Sequence, residues 1–210
     1  DGQDILNGDL GNDSLFGGAG NDVLQDVDGA NLLDGGDGDD FLGGGAANTL
    51  DGGAGNDTLY GDGGTWSGGT GNDNYVFVGY DGENVAISDL DASSGNTDLL
   101  SLSANPYELL FRHSGNDLLI NRMSTTASIR IKDWYAGADH HIETIQTWGS
   151  GTVDYGASYN GVLVDTNVQM LVDAMANFQP ATGQTEVSDP GLRTLIGQAW
   201  TIAVEYGSMD

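Results

Sequence analysis

Gly17-Gly18-Ala19-Gly20-Asn21-Asp22 recurs word for word at Gly52 to Asp57. Near copies stand at Gly35-Gly36-Asp37-Gly38-Asp39-Asp40 and Gly68-Gly69-Thr70-Gly71-Asn72-Asp73. Each is followed by one residue and then, usually, a large apolar one. The unit is therefore nine residues long, G-G-x-G-x-D-x-U-x, with U apolar. The U positions are Leu6, Leu15, Leu24, Leu33, Leu42, Leu50, Leu59 and Tyr75. One apolar residue in nine cannot line a helix face, which needs three or four in two turns. It does suit a very short strand alternating with a turn, and the glycines supply the turn conformations that other residues resist. Stacked units lay one leucine per strand inward and bury a narrow core. The spacing predicts a parallel β-roll over residues 1–76.

If one unit is half a turn of the roll, alternate loops stack into two columns. With the acidic residue at position six, the first column holds Asp4, Asp22, Asp40, Asp57 and Asp73. The second holds Asp13, Asn31, Asn48 and, roughly, Trp66, and only its first loop is close to consensus. The expectation is an asymmetric roll, with metal along the first column. On the second side, hydrogen bonds of Asn31 and Asn48 and a packed Trp66 take its place.

The 210 residues carry 32 acidic and five basic side chains, a net charge of −27, and no Lys or Arg precedes Arg112. Such a surface repels nucleic acid and anionic membrane and attracts multivalent cations. A glycine-rich, acidic segment does not compact unless its charge is neutralised. There is no cysteine to staple it, so bound metal is the remaining candidate. Calcium fits, because it takes six to eight oxygens in flexible geometry and these loops offer carboxylates and carbonyls. Zinc and copper prefer the Cys and His ligands that the loops lack. No run reaches membrane-spanning length. The chain begins in mid-repeat, at Asp1-Gly2-Gln3-Asp4, which reads as a piece of a longer protein.

These residues resemble the repeats-in-toxin (RTX) family of secreted bacterial proteins, whose consensus nonapeptide binds calcium in a parallel β-helix. The resemblance implies a haemolysin-type β-roll with Asp22, Asp40, Asp57 and Asp73 as side-chain ligands, and Asp4 and Asp13 as further candidates. It implies carbonyl ligands from Gly17, Ala19, Gly35, Asp37, Gly52, Ala54, Gly68 and Thr70, within loops completed by Gly20, Gly38, Gly55 and Gly71. It also implies secretion from a Gram-negative bacterium by a type I exporter.

Beyond Tyr75 the glycine beat stops and alternation takes over. Strands are expected at Tyr75–Val78, Asn84–Ile87, Asp98–Leu102, Glu108–Arg112, Asp117–Asn121 and Ser128–Lys132, with Ser114-Gly115-Asn116 as a hairpin turn. Asp133-Trp134-Tyr135 and Ile142-Glu143-Thr144-Ile145 are similar to the region that follows RTX repeats, which implies strands capping the open end of the roll. A capping region over 77–160 and a helical tail over 161–210 complete the expected organisation. His113, His140 and His141 read as surface or hairpin histidines, and the few cations as partners of local carboxylates. In the tail, Thr166 to Gln169 fits a capping box before a helix with Val168, Leu171, Val172 and Met175 on one face. Asp189-Pro190 opens a second helix with Leu192, Leu195, Ile196, Ala199, Ala203 and Tyr206 on its face. The fold class is mainly β: a calcium-bound parallel β-roll, antiparallel capping strands and two short C-terminal helices.

No catalytic constellation is visible: no Gly-x-Ser-x-Gly, no His-Glu-x-x-His and no cysteine nucleophile. The leading expectation is a non-enzymatic calcium-binding module, folding after export, on a parent that is a protease, lipase or toxin. The alternative is the end of an adhesin or surface-layer protein that binds carbohydrate or a cell surface. Trp134, Tyr135, Trp148, Tyr155 and Tyr159, read as exposed aromatics, motivate it.

Overall fold

The structure is a computed structural model that describes residues 2–79, 82–91, 95–148 and 158–205, with side chains described for all of these except 158–160 and 201–205. Nine short strands follow the nonapeptide beat. They are β1 (Ile5–Asn7), β2 (Ser14–Ala19), β3 (Val23–Asp26), β4 (Leu32–Asp37), β5 (Phe41–Gly44), β6 (Thr49–Ala54), β7 (Thr58–Gly61), β8 (Gly64–Thr70) and β9 (Asn74–Phe77). Odd strands stack in one sheet and even strands in the other, all parallel. The register aligns the apolar positions: Leu6, Leu24, Leu42, Leu59 and Tyr75 form one ladder. Leu15, Leu33, Leu50 and Trp66 form the facing one. From Leu24 onward every member is fully buried.

Trp66 corrects the expected register. It occupies an apolar ladder position opposite Leu50, not position six of a loop. Gly64, whose neighbour Thr65 pairs with Thr49, stands beside Asn48 instead. The indole is fully buried, donates Nε1–H to the Gly63 carbonyl at 2.9 Å and meets Phe77 edge-on.

Parallel stacking does not stop at residue 76. Strands β10 (Asn84–Ile87) and β11 (Leu99–Ser103) add to the two sheets in parallel with β8 and β9. They extend the ladders through Ile87 and Leu100. Antiparallel pairing enters with the hairpin of β12 (Leu109–Ser114) and β13 (Asp117–Arg122), turned at Gly115 as the sequence predicts. It then returns to the roll through β14 (Ser128–Ile131), which is parallel to β10. Strand β15 (Thr144–Trp148) is parallel to β11, and β16 (Ser158–Val164) adds to that sheet antiparallel to β15.

The tail holds helix α1 (Asp165–Met175), helix α2 (Pro190–Ala199) and strand β17 (Thr201–Glu205), which pairs with β16. Helix α1 buries Val168, Leu171, Val172 and Met175 as expected, but Val164 is its N-cap and no side chain caps it, so the Thr166 capping box does not form. The chain enters α1 directly from β16, two residues too early for that box. Asp189 does cap α2, accepting from the Leu192 amide at 2.8 Å, with Pro190 in the first turn. The helix ends at Ala199, so Ala203 lies in β17 and Tyr206 lies outside the described residues.

Trp134, expected to be exposed, is 4% exposed and stacks on the His141 ring at 4.1 Å between centroids. Tyr135 is half-buried against His113, and Trp148 is half-buried; the side chains of Tyr155 and Tyr159 lie outside the described residues. His140 ends a short 3-10 turn and is half-buried. Arg122, Arg130 and Arg193 pair with Glu108, Asp117 and Glu186. No described helix is long and apolar enough to cross a membrane.

Candidate metal centre

The four complete first-column loops all turn through the same two left-handed glycines; in the loop ending at Asp57 these are Gly53 (φ 104°) and Gly55 (φ 138°). That path turns the position-six side chain inward. Asp22, Asp40, Asp57 and Asp73 are buried, each between 1% and 3% exposed. Their Oδ1 atoms form a ladder along the roll axis. Asp22 accepts from the Asp4 amide at 2.8 Å, Asp40 from Asp22 at 2.7 Å, Asp57 from Asp40 at 2.8 Å and Asp73 from Asp57 at 2.8 Å. Beyond the repeats, Asp98 accepts from the Asp73 amide and Glu143 from the Asp98 amide, both at 2.7 Å. Glu143 precedes Thr144, which pairs with Leu99, so the Ile-Glu-x-Ile strand places its acid at the ladder position.

The second oxygen of each ladder aspartate in the repeat loops has no partner. Oδ2 of Asp22, Asp40, Asp57 and Asp73 is buried and accepts no hydrogen bond. Each faces the first glycine of its own loop. A Cβ on Gly17, Gly35, Gly52 or Gly68 would lie 2.4, 2.3, 2.4 or 2.1 Å from it. In the first three loops that Cβ would also meet the carbonyl oxygen of Gly35, Gly52 or Gly68, one rung on, at 2.6 Å. The cradle therefore brings a carboxylate oxygen and a carbonyl oxygen to one spot that only glycine leaves open. The carbonyls of Ala19, Asp37, Ala54 and Thr70 accept from the amides of Gly2, Gly20, Gly38 and Gly55 at 2.7 to 2.8 Å, which leaves each a second lone pair.

Unpaired buried carboxylates in a column resist ionisation. Burial, partly offset by the Asp40 amide and reinforced by the charges of Asp73 and Asp40, pushes Asp57 up to about 7. Burial pushes Asp73 up to about 6, with the Asp57 amide opposing and Asp98 and Asp91 adding. Asp40 is raised, again by burial first. A hard divalent cation fits this donor set: it would satisfy the orphaned oxygens, and only oxygen is on offer.

Asp4 is exposed and gives the ladder its amide. In the second column Asn31 accepts from the Asp13 amide at 2.8 Å and Asn48 from the Asn31 amide at 3.0 Å, the asparagine ladder expected there. Asp13 Oδ2 is buried without a partner, and so is Oδ2 of Asp26, whose residue stands where the next loop's first glycine would be. Both lie within 3.0 Å of a Cβ placed on Gly8. Sequence reasoning passed over Asp26, because a carboxylate in a glycine position breaks the motif instead of matching it.

The family profile of the RTX calcium-binding nonapeptide repeat (4 copies) matches residues 1–25, 16–48 and 42–65. No curated protein matches the chain. Repeats of this family are typical of secreted bacterial proteins, and the roll they build is a structural calcium-binding domain. The matched repeats and the two-sheet parallel roll that carries them place the repeat segment of this chain among the RTX haemolysin-type calcium-binding β-rolls.

Proposed function

We propose that this chain is a folding module, driven by calcium, of a larger extracellular protein. Its side-chain ligands are Asp22, Asp40, Asp57 and Asp73, with Asp4 and Asp13 at the ends of the columns. The carbonyls of Gly17, Ala19, Gly35, Asp37, Gly52, Ala54, Gly68 and Thr70 line the loops that Gly20, Gly38, Gly55 and Gly71 close. The supporting observation is the row of buried Oδ2 atoms without partners, each facing a glycine. Calcium, when bound, supplies the positive charge that lets the column stay ionised. The aspartates supply oxygen at a buried position, and the glycines keep the space open.

The consequence is a linkage between metal and folding. Where free calcium is scarce, the carboxylates repel one another and the chain stays unfolded, a form suited to threading through a type I exporter. Outside the cell, sites of about 10⁻⁴–10⁻³ M affinity fill, and binding free energy becomes folding free energy. The alternative, an adhesin end that binds carbohydrate, draws no support from Trp134, whose ring is covered by His141.

Far-ultraviolet circular dichroism tests the proposal. In chelator the spectrum should be that of a largely unfolded chain, and millimolar calcium should restore β signal cooperatively. Identical spectra in the two conditions would refute it.

A further inference from the structure

The repeat motif ends at Asp73, yet the chemistry of its loops does not. We infer that Asp89 and Asp98 join Asp73 to form a cation site outside the repeats, which locks the cap onto the last rung of the roll. The inference rests on the calcium reading above and extends it to a ligand set the nonapeptide pattern does not encode.

One carboxylate oxygen from each of Asp73, Asp89 and Asp98 lies within 4.8 Å of the other two. All three residues are buried, at 2%, 1% and 0% exposure. Asp73 spends Oδ1 on the Asp57 amide, and its Oδ2 is buried with no partner. The carboxyl groups of Asp89 and Asp98 lie within hydrogen-bonding reach of each other. Two buried carboxylates in contact repel unless a proton or a cation lies between them. Among the described residues none of the three is ion-paired to Lys, Arg or His.

The surroundings copy the repeat cradle, oxygen for oxygen, with side chains in place of backbone. In the regular rungs a Cβ on the first glycine would meet the next rung's glycine carbonyl; on Gly68 it would meet the Tyr75 hydroxyl at 2.5 Å. That hydroxyl accepts from the Gly68 amide at 2.8 Å and donates to Asp89 Oδ1 at 2.7 Å, so it also holds Asp89 in place. The amides of Gly20, Gly38 and Gly55 donate to a carbonyl one rung on, whereas the amide of Gly71 donates to Asp91 Oδ2 at 2.9 Å. Asp98 continues the ladder itself. Three carboxylates and no nitrogen or sulfur donor select calcium over softer metals.

The test is a crystal of the calcium-loaded chain, read by anomalous scattering, together with ion counting on Asp89→Asn. Asparagine keeps an acceptor for the Tyr75 hydroxyl and removes the charge. The inference expects an anomalous peak bounded by Asp73, Asp89 and Asp98, and one ion fewer in Asp89→Asn with the repeat ions retained. Peaks at the repeat loops and none at this cluster would overturn it, and would mean that Asp89 and Asp98 share a proton. An unchanged ion count in a folded variant would overturn it too. The wild-type peak decides the matter even if the variant fails to fold. A chain that binds no calcium anywhere would instead overturn the proposed function, and this site with it.

Discussion

Each of the four repeat-loop aspartates, Asp22, Asp40, Asp57 and Asp73, divides its work between two oxygens. Oδ1 ties one rung to the next, and Oδ2 is left buried and unpaired. Asparagine performs the first task as well as aspartate does, as Asn31 and Asn48 demonstrate on the opposite side. Asp57→Asn should therefore keep the ladder, remove one cation's worth of binding in millimolar calcium, and raise the stability of the metal-free roll at pH 8. Ion counting checks the first half; circular dichroism in chelator at pH 8, where the variant should keep more β signal than the parent chain, checks the second.

The pH dependence follows from the raised carboxyls. Asp57 and Asp73 move from an ordinary 3.8 to about 7 and about 6 in the metal-free roll. The folded chain then binds more protons than the unfolded chain between those values. Their contribution to metal-free stability is complete below about pH 4 and is lost as pH rises through about 6 and then 7. In chelator, β signal should be stronger at pH 5 than at pH 8. With calcium present, protons compete for the same oxygens, so affinity should fall as pH drops below 7. A chelated chain with the same spectrum at pH 5 and pH 8 would contradict this.

Among the elements, the strands are short and each contributes a single apolar residue to its ladder, so each ladder leucine carries much of its rung. Leu42 is fully buried between Leu24 and Leu59. Leu42→Ala should cost about 2–5 kcal/mol in the calcium-loaded form, read from its denaturant midpoint.

The same ladders explain which elements could be read in advance. Leu24, Leu42 and Leu59 recur with the glycine loops, and motif and burial agree at these three rungs. Past Phe77 the alternation predicted strands, and β10 and β13 fall where it put them. Alternation, however, has the same period in parallel and antiparallel sheets, so the parallel continuation through β10 and β11 was not legible. Trp66 was misplaced because one residue is lost before Asn48 and the loop that follows is degenerate; only the register to Leu50 fixes it. Asp98 and Glu143 are ladder acids outside the full nonapeptide consensus, so the repeat motif does not mark them. Asp89 gains its meaning only from the Tyr75 hydroxyl brought to it by the fold.

For the molecule as a whole, the narrow core of an acidic roll runs on without a break into the cap. Phe111, Ile120, Ile129 and Trp200 are buried there, and the Phe111 and Trp200 rings meet edge-on. Every arginine paired by an acid lies in the cap or the tail, and the roll contains none. Charge in the roll is therefore left to the cation sites. Above the dissociation constant, each tenfold rise in free calcium adds about 1.4 kcal/mol of stability per site. The most direct measurement is a thermal melt repeated over a range of free calcium set by EGTA. The account predicts a melting temperature that climbs steadily with the logarithm of calcium concentration and a folding transition that vanishes in excess EGTA. A melting temperature indifferent to EGTA would contradict it.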